Sequence, residues 1–301
     1  MENTTKTWII GTRGSRLALW QANYTRDLLK EAGIESELKI IKTKGDKIQH
    51  LSFDKIEGKG FFTKEIEDAL LRGDIDLAVH SMKDLPTESP EGLSITAVSY
   101  REDPADWLVV HKAAYEATQS LRMKANPIVG TSSARRKAQI KHLRPDVQLK
   151  DIRGNVPTRL DKLRQGQFDA ILLAAAGLRR LEMDLEEFEV VRLNPREFVP
   201  APAQGVLAYQ VRQNDKTLRR LLKVLHHKEV AQQTNIERKV LQLLGGGCHT
   251  PLGVYCNCDQ GGNYHVWAAT ASSTEGPLKS VQLSSSTSFG LAEKIVEGLT
   301  T

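Results

Sequence analysis

The chain has 301 residues, of which 40% are hydrophobic and 26% charged, proportions typical of a globular protein with a large core. Three cysteines exclude a disulfide-built scaffold, and no apolar run approaches the roughly 20 residues of a membrane-spanning helix. The net charge of +5 permits an anionic ligand without showing where the charge lies. The first seven residues are polar, so we expect no signal peptide, no membrane partner and a cytoplasmic protein.

Two stretches of the chain share one order of predicted elements. Apolar residues 8–10 lead into a turn of sequence GTRGS, and a helical pattern follows from Leu17. Residues 128–133 (IVGTSS) lead in the same way into a helix that begins at Ala134. Each stretch therefore predicts a strand, a Gly-Thr turn with a serine, and a helix.

The correspondence continues beyond the first helix of each stretch. Strand-like runs at 38–41 and 149–152 end in the triplets KGD and RGN. A helix follows each of them, at 63–73 and 158–166, and each begins at a threonine and ends at a glycine, the residues preferred at helix ends. A further strand-like run follows each helix. The chain therefore contains two copies of a β-turn-α-β-α-β unit.

The first copy contains an insertion at residues 47–60 that the second copy lacks. Gly58 and Gly60 make its end flexible. The insertion is either a mobile lid over a ligand cleft or a tolerated surface loop, and the sequence pattern alone leaves both open.

The C-terminal region has a different pattern. A helix near 236–244 precedes three alternating runs near 252–258, 264–271 and 278–283, and a last helix lies near 291–299. This order predicts a small α+β domain with an antiparallel sheet.

The fold class that these patterns predict is α/β. Two similar α/β domains with mainly parallel strands surround a cleft, and the small α+β domain follows them. We place the first domain at residues 1–101 plus about 200–220, the second at 102–199 and the third at 221–301. Ligands of such sheets bind at the carboxyl ends of the strands.

Cationic residues gather at the predicted strand ends and in the turns after them. They are Arg13, Lys83, Arg135, Arg136, Arg153, Arg159, Arg179 and Arg180. Arginine binds carboxylate or phosphate through two parallel hydrogen bonds, and the Gly-Thr turns add hydroxyls and helix N-termini that attract anions. We therefore expect a polyanionic ligand. Nucleic acid is not expected, because aromatic residues make up only 6% of the chain and are not interleaved with the arginine clusters.

Asp84 follows a predicted buried strand and stands beside Lys83. Its carboxylate can stay ionised there and stabilise a developing cation, or it can hydrogen-bond its own turn. His80, in the same segment, is interpreted as a structural residue at the end of a strand, with a general-base role as the weaker alternative.

Cys248 differs from the other two cysteines because it follows three glycines and precedes His249. A loop thiol beside a histidine is available to react. Cys256 and Cys258 alternate in a strand pattern and are expected to share a buried face. The cysteine spacings do not match a zinc knuckle, so we expect no metal site.

Several segments, taken together, resemble the porphobilinogen deaminase (hydroxymethylbilane synthase) family over nearly the whole chain. They are GTR at 11–13 with LALWQ at 17–21, GKGFF at 58–62 with KE at 64–65, AVHSMKDLP at 78–86, GTSS at 130–133 with RR at 135–136, RGNV at 153–156 with TRL at 158–160, AGL at 176–178 with RL at 180–181, and GGC at 246–248.

The resemblance implies two domains like the halves of periplasmic binding proteins and a third that carries a cysteine. It implies a transferase that joins four porphobilinogen molecules head to tail into hydroxymethylbilane and releases ammonia each time. The cofactor of the family, dipyrromethane, is bound by a thioether, so Cys248 is its expected attachment site. The expected enzyme is monomeric and cytoplasmic.

The resemblance also assigns roles to site residues. Asp84 would hold pyrrole N–H groups and stabilise the cation left by ammonia loss, and Lys55 and Lys59 would lie on a mobile loop. The remaining residues would hold acetate and propionate groups: Arg13, Ser15, Ser81, Lys83, Thr131, Ser133, Arg135, Arg136, Arg153, Arg159 and Arg180.

The sequence departs from the family pattern in the segment expected to return to the first domain. Ala203 stands where the family usually has glycine, and Tyr209-Gln210 replaces a usual Ile-Glu pair. Two other functions were weighed. A non-catalytic binding protein for an organic anion in its usual secreted form needs a signal peptide, and the effector-binding core of a transcription regulator needs a helix-turn-helix segment; we find neither.

Overall fold

The computed structural model describes residues 6–43, 63–246, 250–274 and 276–301. Its strands are β1 Trp8–Thr12, β2 Ser36–Ile40, β3 Leu77–Ser81, β4 Leu93–Val98, β5 Asp106–His111, β6 Ile128–Gly130, β7 Gln148–Lys150, β8 Ala170–Ala174, β9 Phe188–Arg192, β10 Leu207–Arg212, β11 Leu252–Cys258, β12 Tyr264–Ala271 and β13 Leu278–Ser285. Its α-helices are α1 Arg16–Glu31, α2 Lys64–Arg72, α3 Ala134–Leu143, α4 Val156–Arg164, α5 Ala175–Arg180, α6 Lys216–Leu221, α7 Lys228–Leu243 and α8 Leu291–Thr300.

The chain divides into two compact units. The first comprises Met1–Glu102 with Val206–Ala231, and the second comprises Asp103–Gly205 with Gln232–Thr301. The division into three domains that the sequence suggests stays a prediction. Among the described residues, no helix is both long and apolar enough to cross a lipid bilayer.

The first unit is built on a five-stranded sheet of order β2-β1-β3-β10-β4. β1 pairs in parallel with β2 and β3, and β10 runs antiparallel between β3 and β4. Leu207 at the start of β10 lies opposite Ser81 at the end of β3. Four strands therefore point the same way, and their carboxyl ends share one edge of the sheet.

The second unit contains a five-stranded sheet with the same plan, in the order β7-β6-β8-β5-β9. β6 pairs in parallel with β7 and β8, and β5 runs antiparallel between β8 and β9. The two sheets confirm the predicted pair of similar α/β folds. In each sheet the antiparallel strand comes from outside the β-α-β-α-β copy that supplies the first three strands.

A glycine in each copy explains why the Gly-Thr turn recurs. A Cβ atom on Gly11 would lie 2.2 Å from Cδ1 of Ile75, and one on Gly130 would lie 2.8 Å from Cδ1 of Phe168. Ile75 and Phe168 both lie just before the strand that follows the second helix of their copy. Only glycine leaves room for that side chain to pack across the strand end.

Helix ends follow the expected chemistry except at the two predicted threonine caps; Thr63 precedes α2 but makes no side-chain capping hydrogen bond. Oγ of Ser15 accepts a hydrogen bond from the Ala18 amide and begins α1, and Gly73 ends α2 in the left-handed conformation at φ 79°. The predicted start of α4 at Thr158 is wrong. Asn155 caps that helix by accepting from the Thr158 amide at 3.0 Å, so α4 starts two residues earlier and accommodates a proline in its first turn.

The C-terminal sheet has the antiparallel order β11-β12-β13, as the alternating runs predict. One face of it packs on α7 and α8 through a core that includes Val254, Val266 and Ile295. Cys256 is fully buried in that core, and Cys258 is half-buried against it. The two cysteines therefore share one face, as the strand pattern predicts.

The segment before β10 is held by buried polar contacts of the second unit. The carboxyl group of Glu237, on α7, is fully buried and accepts hydrogen bonds from the amides of Ala203 at 2.6 Å and Cys256 at 2.7 Å. The amide of Val254 donates to the carbonyl of Pro200 at 3.0 Å. These bonds fix Ala203 at φ 62°, a conformation that costs an alanine about 1 kcal/mol more than a glycine.

Replacing Ala203 by glycine is expected to raise the free energy of unfolding by about 0.5–1 kcal/mol, because glycine adopts a positive φ without a Cβ clash. Urea unfolding measures the change. Ala208→Gly is the control, since Ala208 is fully buried in β10 and a glycine there should lower the free energy of unfolding. A loss of stability in Ala203→Gly as large as in the control would contradict the expectation.

Candidate functional site

The strand ends of the first unit bring several predicted residues to one edge of the sheet. Ser81 ends β3, and its Oγ accepts a hydrogen bond from Nε2 of Gln21 on α1 at 2.9 Å. Arg13 follows β1 and is half-buried, and Ser15 begins α1. The edge therefore presents a guanidinium, hydroxyls and the N-terminus of a helix.

Asp84 lies on a short 3-10 turn, Met82–Asp84, that continues directly from β3. Met82 and Leu85 are both 3% exposed, and the Met82 amide donates to the Val206 carbonyl at 2.9 Å. These contacts anchor the turn from both sides. Lys83 is half-buried and the side chain of Asp84 is exposed.

The carboxylate of Asp84 is available for a ligand. It makes no hydrogen bond with its own turn or with any other residue that the structure describes. This geometry disagrees with the alternative in which Asp84 serves only to close its turn.

His80 is held in a buried polar chain that crosses the first sheet. Its Nε2 lies 3.1 Å from Oε1 of Gln210 on β10, and Nε2 of Gln210 donates to Glu67 on α2 at 3.0 Å. All three residues are at least nine-tenths buried. The chain supports the interpretation of His80 as a structural residue at a strand end. The sequence analysis noted Gln210 only as a departure from the family pattern and did not single out Glu67, because the contacts of both residues lie far away in sequence.

Burial lowers the pKa of His80 to about 4; the bond to Gln210 opposes this shift and the nearby charge of Arg13 adds to it. The imidazole is therefore neutral in the folded protein at pH 7, whereas the unfolded chain takes up a proton near pH 6.5.

As the pH falls from 7 to 4, the wild type is expected to lose about 3 kcal/mol more of its free energy of unfolding than a His80→Gln variant does. The sign follows from the lowered pKa, since the proton binds the unfolded chain first. Urea unfolding of both proteins at several pH values measures the difference. Parallel stability curves would show that His80 does not titrate as described.

The strand ends of the second unit carry the matching turn. Thr131 is 1% exposed, and its Oγ1 accepts from the Ser133 amide at 3.3 Å. Oγ of Ser133 accepts from the Arg136 amide at 3.5 Å and begins α3. Ser132 joins this turn to the next strand end, because its Oγ both donates to the carbonyl and accepts from the amide of Ile152.

Arg135 and Arg136 share one buried counter-ion, Asp106. Nη1 of Arg135 lies 2.7 Å from Oδ2 of Asp106, and Nη2 of Arg136 lies 2.7 Å from Oδ1. The arginines are 4% and 7% exposed, and Asp106 is fully buried. Burial alone would raise the pKa of Asp106, but the two guanidinium groups hold it well below its usual range. Asp106 was missed by the sequence analysis, although a charged residue that opens the apolar strand DWLVVH needs a partner.

The remaining predicted cations lie just after β7, on α4 and at the end of α5. Nε of Arg159 donates to the Gly154 carbonyl at 2.8 Å, and both Arg153 and Arg159 are half-buried. Arg180 is 5% exposed, and its Nη2 donates to the Gly205 carbonyl at 2.7 Å. Arg179 is exposed and pairs with Asp103 at 3.2 Å. The second unit therefore has both buried and accessible cations.

Three predicted residues lie outside the described residues: Cys248, Lys55 and Lys59. Their predicted roles stay predictions. Within the described ranges, no group of three or more histidine, cysteine, aspartate or glutamate side chains is placed to hold a metal ion.

The donor set fits a ligand that carries several carboxylates. Guanidinium groups, hydroxyls and helix N-termini recur at the strand ends of both sheets, and each of these groups donates to carboxylate oxygens. Dipyrromethane, with an acetate and a propionate on each of its pyrroles, is such a ligand. Fold and donor set together define a class of α/β proteins suited to binding organic anions.

Comparison with known proteins identifies the family. The family model described as "Porphobilinogen deaminase, dipyromethane cofactor binding domain" matches residues 8–220. A porphobilinogen deaminase of Maridesulfovibrio salexigens is 48% identical over 248 residues, which are 82% of this chain and 79% of the relative. One of Clostridium novyi is 43% identical over 255 residues, 84% of each chain. The chain belongs to the porphobilinogen deaminase family, as its motifs predict, and dipyrromethane is the cofactor of that family.

Among solved structures, an arginine-specific periplasmic binding protein of Salmonella typhimurium superimposes with a TM-score of 0.42 at 14% identity. The match covers 75% of this chain and 96% of the other. No functional conclusion follows from a similarity at that level.

Proposed function

We propose that this protein is a hydroxymethylbilane synthase of tetrapyrrole biosynthesis, which condenses four porphobilinogen molecules head to tail. Each condensation releases ammonia from an aminomethyl group, forms one carbon–carbon bond between pyrroles and returns a proton to solvent. The observation that carries the proposal is the carboxylate of Asp84, exposed on an anchored turn in a chain of this family. Several carboxylates on the growing product explain the recurring cations.

Asp84 is the proposed catalytic residue. When ammonia leaves, positive charge develops over the pyrrole ring and its exocyclic carbon, and a fixed carboxylate stabilises such charge. The same carboxylate accepts a hydrogen bond from the pyrrole N–H. Because Met82 and Leu85 are buried, the turn is already ordered and loses little conformational entropy when a substrate binds.

The binding residues divide by their surroundings. Accessible groups suit direct contact with acetate and propionate: Arg13, Ser15, Ser81, Lys83, Ser133, Arg153 and Arg159. Buried groups, each with at least one fixed protein partner, suit a preformed anion subsite: Thr131, Arg135, Arg136 and Arg180. Lys55 and Lys59 complete the proposal as residues of a loop near the ligand.

Cys248 is the proposed attachment site of dipyrromethane. When bound there, the cofactor supplies the terminal pyrrole carbon to which the first substrate molecule is joined. We further propose that the enzyme acts as a cytoplasmic monomer, for which light scattering should give a mass near 33.5 kDa.

The purified protein is expected to consume porphobilinogen and release one ammonia for each molecule consumed. An adduct of two pyrrole units should also appear in the mass spectrum of the denatured protein. A non-catalytic organic-anion binding protein would instead bind porphobilinogen without consuming it. An unmodified, inactive protein after expression with porphobilinogen would refute the proposal.

A further inference from the structure

Asp106 stands at the first position of β5, where its carboxylate contacts side chains from two other parts of the second unit, the beginning of α3 and the segment before β10. Its Oδ2 accepts from Arg135 and its Oδ1 accepts from Arg136. Oδ1 also accepts from Nε2 of Gln204 at 2.9 Å. One carboxylate thus sets the position of two neighbouring guanidinium groups at the beginning of α3.

The two guanidinium groups use their donors differently. Arg136 donates from Nε and Nη2 to Asp106, and from Nη1 to the Leu172 carbonyl at 3.0 Å. Arg135 donates from Nη1 alone, to Asp106 and to the Val199 carbonyl at 2.9 Å. Nε and Nη2 of Arg135 make no hydrogen bond with any described residue. Asp106 therefore fixes one side of Arg135 and leaves two of its nitrogens for another acceptor.

The charges of this cluster do not cancel. Asp106 contributes one negative charge against two positive charges, and the N-terminus of α3 adds the positive end of a helix dipole. Both arginines are removed from water, at 4% and 7% exposed. An excess positive charge in such surroundings attracts an anion strongly, since water screens it little.

We propose that Asp106 is a positioning residue of the enzyme: it holds Arg135 and Arg136 in the orientation in which they receive a carboxylate of dipyrromethane or of the growing product. The inference rests on the proposed function, because it takes these arginines as carboxylate ligands. Asp106 touches no substrate atom in this role. It orders two flexible side chains before the ligand arrives, so that the loss of their conformational entropy does not weaken ligand binding.

Gln204 also holds Asp106, through the oxygen that accepts from Arg136. Its Nε2 donates to Oδ1 of Asp106 and also to the carbonyl of Pro104 at 2.8 Å. Gln204 is 1% exposed and precedes Gly205, whose carbonyl accepts from Arg180. The carboxylate of Asp106 is thereby kept from following either arginine when a ligand binds.

The test measures how fast the apo-protein gains its two-pyrrole adduct. Wild type, Asp106→Asn and Asp146→Asn are produced without porphobilinogen and then supplied with it, and mass spectra of denatured samples follow the adduct. Asp146→Asn is the matched control, because Asp146 also pairs with an arginine of the second unit, Arg144, at 2.8 Å. Urea unfolding midpoints of all three proteins are recorded, so that rates refer to folded protein.

Asp106→Asn is expected to gain the adduct at least tenfold more slowly than wild type, and its loaded fraction should show a raised KM for porphobilinogen with a smaller change in kcat. Asp146→Asn should match wild type in both. Adduct formation by Asp106→Asn at the wild-type rate would overturn the inference, as would equal slowing in the control. If wild type gains no adduct, the proposed function itself has failed.

Asp106→Asn risks misfolding, because it leaves two buried guanidinium groups without their counter-ion. Gln204→Leu keeps both ion pairs. It removes the hydrogen bonds of the side-chain amide to Oδ1 of Asp106 and to the carbonyls of Pro104 and Ala105. It should slow adduct formation by a smaller factor in the same direction. A Gln204→Leu protein that folds and gains the adduct at the wild-type rate, with an unchanged KM, would also count against the inference.

Discussion

Replacing Asp84 by alanine is expected to lower kcat by about a hundred-fold to a thousand-fold and to leave the fold intact. A preorganised group that stabilises developing charge is worth about this much in enzymes. The structure predicts little cost in stability, because the side chain is exposed and bonds to no described residue. The free energy of unfolding should change by no more than about 0.5 kcal/mol.

Glu88→Ala is the control for this prediction. Glu88 is also acidic and exposed, and it lies four residues further along the same segment. It should keep wild-type turnover. Initial rates of porphobilinogen consumption and urea unfolding are measured on both variants. Turnover of Asp84→Ala within a few-fold of wild type would remove Asp84 from the mechanism.

Replacing Cys248 by alanine is expected to abolish both the two-pyrrole adduct and turnover. The other two cysteines of the chain serve as controls. Cys256 is fully buried in the core of the C-terminal sheet, and Cys258 is half-buried against that core. A bulky group on the sulfur of Cys256 would displace packed side chains, and Cys258 packs partly against the same core.

Cys256→Ala and Cys258→Ala should therefore both keep the adduct. Cys256→Ala is also expected to lower the free energy of unfolding by about 1 kcal/mol, because it leaves a small cavity. Mass spectra of the three denatured variants decide the matter. An adduct that persists in Cys248→Ala and disappears in another variant would show that the cofactor is attached to that other cysteine.

The repeated plan of the two sheets could be predicted from sequence because its signals are local. Each copy shows a strand, a Gly-Thr turn and a helix within about thirty residues, and hydrophobic periodicity reports such order well. The start of α4 was placed two residues late because Thr158 was taken as the cap. Asn155 followed by a proline is an equally strong local signal and could have corrected it.

The electrostatic detail of the candidate site could be predicted only in part. The clustering of arginines follows from their places at strand ends, so the sequence indicates an anionic ligand. The burial of Arg135 and Arg136 against Asp106 does not follow, because Asp106 lies about thirty residues before them and Gln204 lies about a hundred residues after Asp106. Nothing local in the sequence pairs them. The contact of His80 with Gln210 could not be predicted for the same reason, since the two residues are 130 positions apart in the sequence.

The position of β10 bears on how the chain folds as it is synthesised. All strands of the second sheet lie between Asp106 and Arg192, whereas the first sheet needs Leu207–Arg212 between β3 and β4. At ribosomal speed, β10 emerges on the order of 10 seconds after β4. Until then β4 has no strand partner in the described sheet and one edge of β3 stays open. Of the two five-stranded sheets, the one that begins first is thus completed second, and its open edges are where a nascent chain is most exposed to aggregation and to chaperones.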